Sequence, residues 1–218
     1  MQKKNLTIKE LFASAVQNFQ KDNLKVAKNL CEEILKINPN HFETILFLGM
    51  LLTKTKNYDQ AKRLLQKAIQ IKPNYANAHN NLGIVFQELK EFQKAKDCYE
   101  KAIQIDPGHA PTHNNLGLVF KELNEFQKAI NCYQKAIRID PNYVIALNNL
   151  GKTLGELNFI KKAVKYFEKS LNLNPNKKET YHNFGKILFK LNQHSKALEY
   201  IRKGTGLIRF TQKDFKII

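Results

Sequence analysis

Asparagine recurs along the chain at a fixed interval, and its side chain is suited to binding polypeptide backbone. One series is Asn80, Asn114 and Asn148, and a second, one residue further on, is Asn81, Asn115, Asn149 and Asn183. A carboxamide both donates and accepts hydrogen bonds, so it can pair with an extended main chain of any sequence. The spacing therefore predicts a ladder of amides that holds a peptide. The alternative is that the asparagines cap or satisfy neighbouring backbone.

Three lysines add positive charge at the carboxy-terminal end of this ladder. Lys152 and Lys186 each follow an asparagine of the second series by three residues, and Lys190 comes four residues after Lys186. Their charge predicts that the ladder prefers an acidic extended segment. These lysines and the two asparagine series together form the predicted peptide-binding set.

Three histidines could be imagined as zinc ligands. His109 and His113 are four residues apart, and His79 precedes His113 by the same interval that separates Asn80 from Asn114. No neighbouring Cys or carboxylate completes a tetrahedral set, and His79 and His113 occupy an inward-facing position of the helices described below, so roles in packing are favoured. The sequence also has no Gly-rich phosphate loop, HExxH motif, nucleophile elbow or paired-carboxylate arrangement. We therefore expect no metal, no cofactor, no small-molecule substrate and no catalysis.

A 34-residue period defines the elements that carry these residues. Proline and glycine mark it at Pro39, Pro73, Pro107, Pro141 and Pro175 and at Gly49, Gly83, Gly117, Gly151 and Gly185. A fixed repeat of this size is typical of an array whose units bury their apolar faces only against one another. In the copy at 76–109, the apolar spacing predicts a helix near 77–89 and a second helix near 92–105, which Pro107 ends.

The small residues of the period have a packing role. We expect Gly83 to face Ala95 across the helix pair, and Ala102 to allow the next repeat a similarly close approach. A bulky side chain at Gly117 should then destabilise the protein by about 1 to 3 kcal/mol.

The pattern resembles the tetratricopeptide repeat, a 34-residue helix-turn-helix unit. The Leu-Gly step of that family is matched by Leu48-Gly49, Leu82-Gly83, Leu116-Gly117, Leu150-Gly151 and, with Phe for Leu, Phe184-Gly185. Its later alanine is matched by Ala61, Ala95, Ala129, Ala163 and Ala197, whereas its Trp position holds Ile45, His79, His113, Leu147 and Tyr181. The resemblance implies an all-α fold, a right-handed α-α superhelix of about six repeats with the first degenerate, which binds partners on its concave face.

The ladder resembles the asparagine-lined repeats of O-linked N-acetylglucosamine transferases, which hold substrate peptides. When position one is the first residue of each repeat, the asparagines fall at positions five and six and the lysines at nine and thirteen. These positions lie on the first helix, opposite its inward stripe. The lysine and asparagine pattern of chaperone-binding members is missing, so a cochaperone role is disfavoured.

The repeat units are expected at about 8–41, 42–75, 76–109, 110–143, 144–177 and 178–204, which together form one domain over 8–204. Residues 205–218 are a carboxy-terminal tail, in which Thr211 and Asp214 suggest the start of a helix. We expect the tail to cap the array or to link it to a further domain, with a frayed terminus as the alternative.

Basic residues give the 218-residue chain a net charge of +17. Residues 144–218 contribute +10, from fifteen basic and five acidic side chains. An anionic partner and a coding bias toward Lys, Asn and Ile are the two explanations. We interpret the odd number of cysteines, Cys31, Cys98 and Cys132, as reduced thiols of a cytoplasmic protein. No secretory signal or membrane-spanning stretch is evident, so membrane insertion is not expected.

We interpret the sequence as a non-catalytic scaffold that binds a partner protein or an extended peptide. One alternative is a substrate-recruiting, amino-terminal module of a longer enzyme of the glycosyltransferase, sulfotransferase or oxygenase type. Binding of nucleic acid or another polyanion through the basic carboxy-terminal half is less favoured, because aromatic residues such as Phe86 and Tyr99 fall at core positions. The oligomeric state stays open.

Overall fold

The computed structural model describes residues 7–205, 208–210 and 215–217. The chain divides into two compact units, Met1–Pro107 and Gly108–Ile218. In its described part, the first unit consists of helix-turn-helix pairs: α1 (Ile8–Gln20) with α2 (Leu24–Ile37), α3 (Phe42–Lys54) with α4 (Tyr58–Ile71), and α5 (Ala76–Glu88) with α6 (Phe92–Ile105). The predicted helices of the 76–109 copy are thus present, with the first beginning one residue earlier than expected.

The second unit continues the same pattern. Its described helices are α7 (Ala110–Glu122) with α8 (Phe126–Ile139), α9 (Val144–Glu156) with α10 (Ile160–Leu173), and α11 (Lys178–Lys190) with α12 (His194–Thr205). From α3 onward, the first helix of each pair begins one full period after the first helix of the preceding pair. The predicted all-α class with helix-turn-helix repeats is confirmed.

A short antiparallel hairpin follows α12. It is formed by β1 (Ile208–Phe210) and β2 (Phe215–Ile217), with Ile208 opposite Ile217. Thr211 and Asp214, the predicted helix start, lie outside the described residues, and the residues directly after them form a strand instead of a helix. The roles of the tail as a cap or as a linker stay predictions.

One residue with a left-handed backbone turns the chain between the two helices of each pair. Its φ is 61° at Lys56, 59° at Lys90 and 60° at Asn124. Asn visits this region readily, whereas other L-residues pay about 1–2 kcal/mol for it. The turn is closed by backbone hydrogen bonds, such as that from Glu125 N to Phe120 O at 2.8 Å. It returns the second helix against the first.

The glycines of the period make room for large side chains. A Cβ atom added to Gly83 would lie 2.6 Å from Cε1 of Tyr99, and one added to Gly117 would lie 2.6 Å from Cε1 of Tyr133. Both tyrosines are fully buried. Gly83 therefore faces the ring of Tyr99, which corrects the expectation that it faces Ala95. The close approach serves a ring that is wedged between two helices.

Candidate functional site

The first asparagine series is buried between helices. Asn80 is 7% exposed, and Asn114 and Asn148 are each 2% exposed. A buried carboxamide needs partners inside the protein, because an unpaired one costs about 1–3 kcal/mol. These side chains serve the repeat stack. Their placement revises the expectation that both series line the ladder.

The second series is half-buried at the surface and is oriented by the first. In the second unit, Nδ2 of Asn149 donates to Oδ1 of Asn114 at 2.9 Å. Nδ2 of Asn183 lies 3.5 Å from Oδ1 of Asn148, which is a long and weak contact. Each contact joins one repeat to the next. Because Asn114 holds its amide nitrogen, Asn149 has a fixed carboxamide whose oxygen is left to accept a hydrogen bond, whereas the carboxamide of Asn183 is held only weakly.

Asn115 and Asn81, the other members of the second series, contact the asparagine just before them. Nδ2 of Asn114 lies 3.4 Å from Oδ1 of Asn115 in the second unit, and Nδ2 of Asn80 lies 3.4 Å from Oδ1 of Asn81 in the first. At this length both hydrogen bonds are weak. Every member of the second series is therefore in contact with a member of the first.

A small pocket in the first unit is built around the second series. Its volume is about 230 Å³, and its lining consists of Met50, Thr53, Lys54, Asn81 and Ile84. These residues occupy positions nine, twelve and thirteen of one repeat and positions six and nine of the next. With Met50 and Ile84 in its walls, this pocket is mainly apolar.

The second unit has a pocket at the equivalent positions, with a different chemical character. Its volume is about 170 Å³, and it is lined by Lys152, Gly155, Glu156, Phe167, Asn183, Lys186, Ile187 and Lys190. The structure thus brings the three predicted lysines together with Asn183. We call this site the basic pocket.

Two of the charged side chains of the basic pocket have partners in the protein. Lys190 Nζ donates to the carbonyl oxygen of Gly155 at 2.9 Å, and Glu156 pairs with Lys121 at 2.9 Å. Lys152 and Lys186 are exposed and form no ion pair within the residues that the structure describes. The pocket therefore has a net positive charge that an acidic ligand can neutralise.

The positive charge of the basic pocket affects the protonation of His182. This histidine occupies position five of the last repeat, where the three preceding repeats have asparagine, and its Nδ1 atom is buried without a hydrogen-bond partner among the described residues. Burial lowers the pKa of His182, and the ammonium groups of Lys186 and Lys152 lower it further. The imidazole is therefore held in its neutral form beside the lysines.

Sequence reasoning missed several residues of the two pockets, above all Gly155. This glycine is at position twelve, where earlier repeats have Thr53, Gln87 and Lys121. A Cβ atom there would collide with Cδ1 of Ile187. A glycine outside the periodic series was the available signal. The pockets themselves could not be read from one repeat, because each is formed by two.

His79, His113 and the cysteines singled out in the sequence lie at packing positions of the helices. Nε2 of His79 lies 2.8 Å from the carbonyl oxygen of Pro73, and His113 is 8% exposed. Within residues 7–205, no three His, Cys, Asp or Glu side chains come together as metal ligands. None of the three cysteines forms a disulfide within the described residues, and burial raises the pKa of Cys31 to about 12 and that of Cys98 to about 11. Such thiols are poor nucleophiles at neutral pH.

No helix in the described part of the chain is long and apolar enough to span a bilayer.

The fold and the pockets define a class of protein: an all-α repeat protein with a surface of oriented amides and a basic pocket. Family models agree with this class. The tetratricopeptide repeat matches at residues 41–107 and 75–142, and the CABIN1 N-terminal domain matches at residues 112–202. A comparison with curated protein sequences gives no significant match.

Solved structures show the same architecture. PilF of Pseudomonas aeruginosa is 29% identical, with a TM-score of 0.71, over 76% of this chain and 75% of that chain. MamA is 29% identical, with a TM-score of 0.64, over 74% of this chain and 94% of that chain. PilW, a type IV pilus biogenesis factor, is 20% identical, with a TM-score of 0.83, over 93% of this chain and 94% of that chain. Residues 41–142 belong to the tetratricopeptide repeat family, and the described helices outside this range continue the same repeat.

Membership in this family assigns a general role. Proteins of the family are generally non-catalytic scaffolds that bind protein or peptide partners, and a general protein-binding role follows for this chain.

Proposed function

We propose that the protein is a non-catalytic scaffold that binds an extended, acidic peptide segment along the first helices of its repeats. The observation that carries this proposal is that the buried first asparagine series orients the half-buried second series. Buried Asn114 fixes the carboxamide of half-buried Asn149 through a 2.9 Å hydrogen bond. An amide that is held in one orientation loses less entropy on binding a ligand than a free one does.

The second unit offers both components that an acidic peptide needs. Asn115, Asn149 and Asn183 supply carboxamides for main-chain groups, and no described donor reaches Oδ1 of Asn149. Lys152 and Lys186 supply unpaired positive charge beside Asn183. Main-chain hydrogen bonds give affinity without sequence preference, and the lysines favour acidic side chains.

Magnitudes show why both components are required. Each net hydrogen bond contributes about 0.5–1.5 kcal/mol, so the three second-unit asparagines alone give roughly 1.5–4.5 kcal/mol. That range corresponds at best to a dissociation constant near 1 mM. The basic pocket therefore supplies the specificity, and additional side-chain contacts supply further affinity.

The test is peptide binding measured by fluorescence anisotropy. The probes are two labelled peptides of roughly ten residues, one alternating Glu with Ser and one alternating Lys with Ser, each long enough to span about 33 Å when extended. We expect the acidic peptide to bind and the basic one not to bind. Replacing Asn149 by Ala should weaken binding about 2- to 12-fold, the loss of one net hydrogen bond.

A matched pair of lysine variants tests the role of the basic pocket. Lys152→Gln with Lys186→Gln should abolish the preference for the acidic peptide, whereas Lys161→Gln with Lys165→Asn, which removes the same charge from α10, should keep it. Equal affinities of the acidic and basic peptides for the unmodified protein at low salt would refute the proposal. A location in the cytoplasm, which the absence of disulfides among the described cysteines suits, stays a prediction.

A further inference from the structure

The outer face of α10 differs from the same face of the preceding second helices. At positions 18, 22 and 26 of the repeat it has Lys161, Lys165 and Lys169, one above the other at steps of four residues. All three are exposed, and none forms an ion pair within the described residues. We call them the lysine row. Among the described second helices, α10 alone has lysine at all three positions.

Positions 18 and 22 of α6 and α8 are polar and internally paired, whereas position 26 is lysine in both helices, as Lys101 and Lys135. Gln93 donates to Asp97 at 2.9 Å in α6, and Gln127 donates to Asn131 at 3.1 Å in α8. At these two positions α10 instead has Lys161 and Lys165, which repel each other. The exchange of a favourable pair for a repulsive one weakens the isolated helix and leaves both ammonium groups available to an external anion.

A second exchange occurs at the start of α10. In α6 and α8, the lysine at position 19 forms an ion pair with a glutamate at position 16: Lys94 with Glu91, and Lys128 with Glu125. In α10, position 16 is Phe159, which is 52% exposed and lies 5.4 Å from Nζ of Lys162. An acidic side chain is thus replaced by an exposed aromatic ring, and Lys162 forms no ion pair within the described residues. Glu168 is the sole acidic residue of α10.

We propose that the outer face of α10 docks onto an anionic lipid bilayer through the lysine row and Lys162, with the Phe159 ring beside Lys162 at the edge of this face. A row of ammonium groups along one helix can contact a plane simultaneously, and anionic headgroups attract basic side chains at a membrane surface. The exposed ring of Phe159 can enter the apolar layer under the headgroups while the lysines stay in the polar zone. Single-stranded nucleic acid fits less well, because its bases stack on successive aromatic side chains, and this face has one.

Vesicle co-sedimentation of the full chain tests the proposal. The probes are vesicles of phosphatidylcholine alone and vesicles in which roughly one-third of the lipid is phosphatidylglycerol. We expect sedimentation with the anionic vesicles alone. Lys161→Gln with Lys165→Asn, which installs the residues of α8, should weaken binding roughly 25-fold, since each lysine near the surface contributes about a fivefold factor.

A charge-matched control uses the first unit. Lys94→Gln with Lys101→Gln removes two charges from the equivalent face of α6 and should change lipid binding by less than about twofold. Circular dichroism of both variants checks that the helices are intact. The proposal is wrong if the two double variants lose lipid binding equally, or if the unmodified protein does not sediment with anionic vesicles. It is also wrong if the unmodified protein binds single-stranded RNA more tightly than the vesicles and the α10 variant loses that RNA binding. Peptide binding by the α10 variant should be unchanged, which separates this proposal from that of the peptide site.

Discussion

Adding one methyl group at Gly117 and at Gly151 should have opposite effects on stability. A Cβ atom at Gly117 would lie 2.6 Å from Cε1 and 2.8 Å from Cδ1 of Tyr133, closer than any van der Waals contact. At Gly151 the nearest atoms, those of the Phe167 ring, are 3.1 Å away. Both rings are fully buried, so neither can leave its site without opening a cavity. The shorter distance at Gly117 means that the ring of Tyr133 must move further than that of Phe167.

The magnitudes follow from two opposing terms. Gly→Ala in a helix interior gains about 1 kcal/mol of helix propensity at either site. Overpacking costs about 1–3 kcal/mol where a ring must shift and less where it need not. Gly117→Ala should therefore lower the free energy of unfolding by up to about 2 kcal/mol, whereas Gly151→Ala should leave it unchanged or raise it by up to about 1 kcal/mol.

Urea denaturation followed by circular dichroism measures both variants. The propensity term is common to the two substitutions, so their difference reports the steric term alone. A Gly117→Ala protein as stable as Gly151→Ala would refute the assignment of Gly117 as a site made for the ring of Tyr133. Gly117→Leu, which adds a larger side chain at the same place, should be less stable than Gly117→Ala.

Two further predictions concern buried polar groups. Tyr99→Phe should destabilise the protein by about 0.5–1.5 kcal/mol, because the Tyr99 hydroxyl donates to Oε1 of Gln87 at 2.9 Å. Tyr133→Phe should cost less in the same denaturation assay, because the hydroxyl of Tyr133 lies near that of Thr153, and the two form no hydrogen bond of normal geometry. A larger loss from Tyr133→Phe would contradict this. His182→Asn should make the free energy of unfolding less sensitive to acid. Because the pKa of His182 is lowered in the folded protein, the unfolded chain takes up this proton at a higher pH than the folded chain does. The contribution of His182 to stability is therefore complete above the ordinary pKa of about 6.5 and is lost as the pH decreases below that value. Parallel unfolding curves of the two proteins between pH 7.5 and about 5 would show this prediction to be wrong.

The fold could be predicted because one signal was repeated many times. Each 34-residue copy repeats the apolar spacing, the glycine and the proline, so errors in one copy are corrected by the others. The partner of Gly83 could not be predicted in this way. The sequence places Ala95 and Tyr99 on the same inward stripe, and only the helix crossing decides that the ring of Tyr99 reaches the glycine.

The candidate site shows a similar limit. Two asparagines one residue apart point about 100° away from each other on a helix, and which of them is covered depends on the next repeat. The structure buries Asn114 and leaves Asn149 half-exposed. The single ladder expected from the sequence therefore consists of a buried supporting series and a half-exposed series, for which peptide binding is our proposal. Lys152, Lys186 and Lys190 meet in one pocket only because two successive repeats pack against each other, which the sequence of a single repeat does not show.

The repeat register also separates the two explanations of the positive charge. A coding bias toward lysine acts on every exposed position alike, and it would place lysine at positions 18 and 22 of α6 and α8 as readily as in α10. Those positions hold Gln93, Asp97, Gln127 and Asn131, which form two internal hydrogen bonds. Lysine replaces them in α10, in the same repeat in which phenylalanine replaces the glutamate that would neutralise Lys162. Among the described second helices, phenylalanine at position 16 and lysine at position 22 occur in α10 alone, and this combination distinguishes its outer face. Lysine at position 26, by contrast, recurs from α4 to α12, as a general bias would produce.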